Sequence, residues 1–183
     1  WDLATLHRLF NPYRAPSLLL EKDSGGKTML ASLHDIYFAQ TVAGPDLAKD
    51  YAEFTREALR TIARPGLVTQ GGKGTCAATD PMRKFIAEDP AEMARVIRDL
   101  ALTGSVKFRD GNVAPIEADA IANDGSRRTI VERMVQSTFM EYANGPNNYR
   151  NDLDQSFGSS LSGSGLTSEM QARLMSSFYG RKY

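Results

Sequence analysis

Apolar positions recur at helical spacing through most of this chain. Leu3, Leu6, Leu9 and Phe10 repeat at three- and four-residue steps, with Asp2 placed to cap the segment and Asn11-Pro12 to end it. Leu30, Leu33, Tyr37 and Phe38 predict a second helix behind Thr28, with His34 beside the stripe. Gly44-Pro45 breaks it, and Asp46 is placed to cap a third helix marked by Leu47, Tyr51, Phe54, Ala58, Leu59 and Ile62. Asp89-Pro90-Ala91-Glu92 reads as an N-cap, a first-turn proline and an acidic residue near the positive helix end. Met93, Val96, Ile97 and Leu100 supply the apolar face behind that start, and Gly104 ends it. The clearest helix covers 130–142, where Ile130, Val131, Met134, Val135, Thr138, Phe139 and Tyr142 hold one stripe. Thr129 and Glu132 have capping-box spacing in front of it, and Gly145-Pro146 stops it. A last helix follows Thr167 or Ser168 through Met170, Leu174, Met175 and Phe178 to Gly180.

Little of the pattern has the two-residue period of a strand. Residues 105–109 alternate, Asp110-Gly111 is a turn signal, and 112–114 can return, which predicts one small β-hairpin. The short apolar run at 17–21 reads as extended. Residues 144–165 are rich in Asn, Gly, Ser and Asp and read as a flexible loop. The fold class expected is mainly α: a helical bundle-like single domain over 1–183 with one small hairpin.

Composition narrows the function classes. The chain has 183 residues, enough for one domain with a core, and Lys plus Arg equals Asp plus Glu at 22 each. That balance gives no reason to expect nucleic acid as a partner, and no apolar run is long enough to predict a membrane span. One cysteine excludes an internal disulfide framework and leaves the compartment open: a soluble protein is expected, and secretion is compatible with it, since a secreted protein need not have disulfides. The chain starts at Trp1 rather than methionine, which predicts that a preceding segment has been removed.

Two stretches have partial ligand-binding patterns. Gly26-Lys27-Thr28 fits the end of a phosphate-binding loop, but Glu21 stands at the first glycine position, so a surface turn capped by Thr28 is the favoured reading. Asp152, Asp154 and Ser156 are spaced like calcium ligands. Phe157 then takes the place of the required glycine and Gly163 that of the last carboxylate, so a solvated loop is favoured and no metal or cofactor is expected.

The remaining stretch is Gln70-Gly71-Gly72-Lys73-Gly74-Thr75-Cys76. Two readings are open: a small hydrophobe beside a flexible turn, or a thiol nucleophile with the glutamine amide donating to an oxyanion. The segment resembles the Gln-Gly-x-Cys-Gly-Ser-Cys motif of papain-like cysteine peptidases over about seven residues. Lys73 stands where that family has a disulfide cysteine, and Ala77 where it has tryptophan. The resemblance implies that Cys76 is the nucleophile, Gln70 the oxyanion donor, and Gly74 and Thr75 part of the oxyanion loop. The reaction implied is acyl transfer from a peptide or protein substrate, with no cofactor. In that family the cysteine begins a helix. Pro81 leaves open whether a helix here starts near Cys76 and accommodates the proline, or starts only at Asp80.

A thiol nucleophile needs a base, and the only histidines, His7 and His34, precede Cys76. The family places its histidine after the cysteine, in a β-rich half. The chain therefore looks like the helical half of a papain-like fold, with the barrel half expected on a second chain or on a segment that supplies His and Asn. A permuted arrangement with His34 as base and Asp35 or a nearby carboxylate orienting it, and an inactive relic, are the other two explanations. The competing class is a helical protein–protein interaction module with a structural Cys76.

Overall fold

The computed structural model describes residues 3–10, 17–39, 51–145, 148–157 and 165–183. Among these, seven helices follow in chain order: α1 (Leu3–Leu9), α2 (Met29–Tyr37), α3 (Tyr51–Ala63), α4 (Cys76–Glu88), α5 (Pro90–Thr103), α6 (Ile130–Asn144) and α7 (Ser168–Tyr179). Two short antiparallel ribbons complete the set: β1 (Ser105–Lys107) with β2 (Val113–Pro115), and β3 (Asn148–Arg150) with β4 (Gln155–Phe157). The mainly helical class expected from the sequence is what the chain adopts. The Asp2 cap, the Asn11-Pro12 stop, the Gly44-Pro45 break and the Asp46 cap lie outside the described residues.

Helix α6 runs through the middle. Every residue of it except Ile130 and Glu141 is buried, and it packs against α3, α4, α5, α7, β2 and β3. It starts where the sequence places it, because Thr129 Oγ1 accepts from the Glu132 N–H while the Glu132 carboxylate accepts from the Thr129 N–H. The aromatic core lies at its C-terminal half, where Phe85 stacks on Phe178 at 3.7 Å and meets Phe139 edge-on at 5.7 Å. Helix α5 begins at the Asp89 cap and ends at Gly104 in left-handed geometry, as the pattern requires.

Three local readings are corrected, and a fourth that the sequence left open is decided. The run at 17–21 is not extended, since Leu18–Leu20 forms a single 3-10 turn. In α2 the buried face is Met29, Ser32, Leu33 and Ile36, whereas Leu30, Tyr37 and Phe38 are exposed. Both stripes have helical spacing, and α2 turns toward α3 and α5 the one that fits between them. Within 144–165, expected to be a structureless loop with a single hairpin elsewhere, the described residues 148–157 form a second ribbon. Its turn is closed by Asp154 at φ 54°, and Tyr149 and Asn151 are fully buried. Lastly, Pro81 lies inside α4, which starts at Cys76 and not at Asp80. A proline there leaves the carbonyl four residues back without its helical donor. That carbonyl belongs to Ala77, and the Gln171 amide of α7 reaches it at 3.5 Å.

Candidate functional site

The cysteine loop is held from beneath by a buried polar network. At its centre is Gln136, on the core-facing side of α6 and fully buried. Its Nε2 donates to the Thr69 carbonyl at 2.8 Å, and its Oε1 accepts from Thr75 Oγ1 at 2.9 Å. One amide therefore ties together both ends of the seven-residue loop. The same Oε1 accepts from Arg128 at 3.1 Å, and Glu132 accepts the Thr69 N–H at 2.8 Å. Arg128 is itself buried and donates to Ser126 Oγ, Asp124 and Asn151. A buried charge is tolerable when it is paired and hydrogen-bonded on all sides, and this one is. Burial works to raise the Asp124 pKa, but bonds from Ser126 and the Arg128 guanidinium overcome it and hold the carboxyl well below its usual range.

The second ribbon supplies the other clamp. Asp154 accepts from the Gly74 N–H at 2.6 Å and from the Tyr149 hydroxyl at 2.9 Å. Burial, reinforced by the Asp154 carboxylate, pushes the Tyr149 phenol far above its ordinary pKa, so it stays a proton donor. Lys73 Nζ reaches the Asp152 carbonyl at 3.0 Å. On the opposite flank Gly71 has φ 58°, and a Cβ built there would lie 1.8 Å from the Ser126 carbonyl oxygen. The Gly72 N–H donates to that same oxygen at 3.2 Å. Close backbone approach is thus the reason for a glycine at 71.

At the end of the loop, Cys76 is exposed and is the first residue of α4. Thr75 occupies the N-cap position without capping, because its hydroxyl is turned down to Gln136. No side-chain oxygen of the cap therefore covers the positive end of α4 beside the thiol. Gln70 is half-buried, and its carboxamide makes no hydrogen bond to a described residue. Of the residues singled out from sequence, Gln70, Gly74, Thr75 and Cys76 share this one loop. Gly74 and Thr75 act in it as anchors, with the Gly74 N–H already given to Asp154.

His34 is elsewhere. It is exposed, lies 4.5 Å from the Phe38 ring, and lines an apolar groove of about 450 Å³ with Leu9, Phe10, Leu30 and Tyr37. No residue of the 69–76 loop lines that groove, and Asp35 pairs with Lys27. His7 is also exposed, on α1. Among the described residues, no side-chain hydrogen bond or ring contact joins either histidine to the 69–76 loop.

The two partial motifs have local partners of their own. Asp23 Oδ1 accepts the N–H groups of Gly25 and Lys27, so a carboxylate of the turn takes the donors a phosphate would need, and Thr28 caps α2 as expected. Asp152 pairs with Arg150, while Asp154 is committed to Tyr149 and Gly74. Among the described residues no three metal-ligating side chains converge.

The residues that sequence reasoning missed are the anchors: Gln136, Arg128, Asn151, Asp154 and Ser126. One signal pointed to them. Gln136 lies one helical turn beyond Glu132, so it shares a face with the capping-box carboxylate at the buried start of α6. Compared with protein families, with curated proteins and with solved structures, the chain matches none.

Proposed function

We propose that the chain is the nucleophile-bearing part of a thiol-dependent peptidase, with Cys76 as the group that attacks. The observation that carries this reading is the exposed thiol at the uncapped start of α4, on a loop fixed by buried hydrogen bonds at both ends. A structural cysteine needs neither exposure nor such support. In the mechanism, a base outside the described residues removes the thiol proton, and sulfur adds to an acyl carbon. The Gln70 amide and the Cys76 N–H donate to the resulting oxyanion, the base hands its proton to the departing amine, and water, deprotonated by the same base, releases the acyl group and the thiol. Helix α4 favours negative charge at its first turn, which serves both the thiolate and the oxyanion. The base and its orienting amide come from a second chain or segment, as the resemblance to papain-like cysteine peptidases implies.

The test is alkylation by iodoacetamide at pH 6. Reaction faster than free cysteine, blocked by a peptidyl epoxide and lost in Cys76→Ala, supports the reading; reaction no faster than free cysteine refutes it.

One observation favours the second reading, a helical interaction module: the apolar groove beside His34, with Phe10, Leu30, Tyr37 and Phe38 exposed. Under that reading Cys76→Ala leaves all binding unchanged, whereas Phe38→Asp abolishes it.

A further inference from the structure

A second cleft, of about 280 Å³, opens on the other side of the loop, between α3 and the start of α6. Four guanidinium-bearing residues line it: Arg56, Arg60, Arg64 and Arg127. Arg56 and Arg60 lie four residues apart on α3, and Arg64 follows the last residue of that helix. Like charges at that spacing repel, so an anion beside Arg60 is favoured.

Acidic side chains line the cleft too, and each already has a partner, in one case a cleft arginine. Glu53 pairs with Arg56. Glu57 accepts from the Ile130 N–H at 3.1 Å. Glu132 accepts from Thr69 and Thr129. Arg60 and Arg127 are exposed and make no hydrogen bond or ion pair to a described residue. Arg127 also has φ 64°, an unfavourable conformation for a side chain of this kind. The turn before it, closed by Asp124 on the Ser126 N–H, delivers Arg127 to the cleft in that conformation while Arg128 goes to the core. Leu67 and Val68 give the cleft an apolar wall.

We propose that this cleft binds an acidic segment of a polypeptide, with Arg60 and Arg127 gripping its carboxylates. Planar guanidinium groups suit carboxylates because two parallel N–H bonds can form. Leu67 and Val68 fit the methylenes of Glu side chains, which favours a peptide over a nucleic acid. Thr69 both lines the cleft and precedes Gln70 in the chain. The use of the cleft as a substrate subsite, selecting acidic residues beside the acyl group, rests on the thiol reading; the binding itself does not.

The experiment is fluorescence anisotropy with a fluorescein-labelled Ala-Glu-Ala-Glu-Ala peptide and its Gln counterpart, at about 50 mM salt where surface charge is weakly screened. The Glu peptide should bind about tenfold more tightly than the Gln peptide, with Arg60→Gln and Arg127→Gln each weakening it about fivefold and Arg60→Lys less. Cys76→Ala should bind it as the parent does, so a failed peptidase reading leaves this result standing. Equal binding of the two peptides overturns the proposal. So does a preference that survives the double substitution in a variant with unchanged circular dichroism. Tighter binding of single-stranded DNA or of inorganic phosphate than of the Glu peptide also overturns it.

Discussion

Replacing Gly71 by alanine tests whether the cysteine loop owes its shape to the backbone beneath it. The new Cβ would meet the Ser126 carbonyl oxygen at 1.8 Å, an impossible distance, and φ is 58° there. Left-handed geometry costs a residue with a Cβ about 1–2 kcal/mol. Relief of the overlap must part the loop from Ser126 and break the Gly72 N–H bond of 3.2 Å, a loss of about 1 kcal/mol. The sum is roughly 2–3 kcal/mol, or a midpoint lowered by about 5–10 °C for a chain of this size. Gly72→Ala is the internal control, since nothing lies within 4 Å of its Cβ and its φ is not positive; it should change stability by less than about 0.5 kcal/mol. Thermal and urea unfolding measure both, with iodoacetamide rates at Cys76 as the functional readout. A Gly71→Ala variant as stable as the parent, or a Gly72→Ala variant as damaged, would refute the reasoning.

Gln136→Leu strands the Thr69 carbonyl, the Thr75 hydroxyl and one Arg128 donor together, and urea unfolding should register a loss of about 3–5 kcal/mol. Gln70→Ala should leave stability unchanged and, once the base is supplied, lower turnover about 10²-fold or more in single-turnover assays. Burial works to raise the Glu92 pKa, but hydrogen bonds from Arg95 and Ser24 overcome it and hold the carboxyl below its usual range. A depressed folded pKa means that this stabilisation is present above the unfolded value, about 4.3, and is lost as pH falls through the folded one. Melting temperatures should therefore drop below about pH 4.5 in the parent. They should drop less steeply in Glu92→Gln, whose side chain cannot titrate.

What could be read from the sequence was local. The Thr129–Glu132 box, the Asp89-Pro90 start and the Gly104 stop each act within one helical turn, and each forms as its letters imply. The loop from Gln70 to Cys76 was found by its glycines and its thiol. Its supports were not, because Gln136, Arg128, Asn151 and Asp154 meet it through side-chain bonds that follow no periodicity. Pro81 left the start of α4 undecided for the same reason: the amide that reaches the carbonyl it frees is Gln171, in another helix. In α2, Leu30, Tyr37 and Phe38 are as well spaced as the residues that became core, and only the packing of α3 and α5 chooses between them.

The contacts that shape the surroundings of the thiol reach 61 to 80 positions along the chain, from Thr75 to Gln136 and from Gly74 to Asp154. During synthesis, Cys76 therefore emerges well ahead of every group that positions it. Closing loops of that length is slow compared with forming a helix. Under the proposed thiol reading, the nucleophile is thus assembled late, and a nascent chain carrying α4 alone would have no competent centre with which to attack its neighbours.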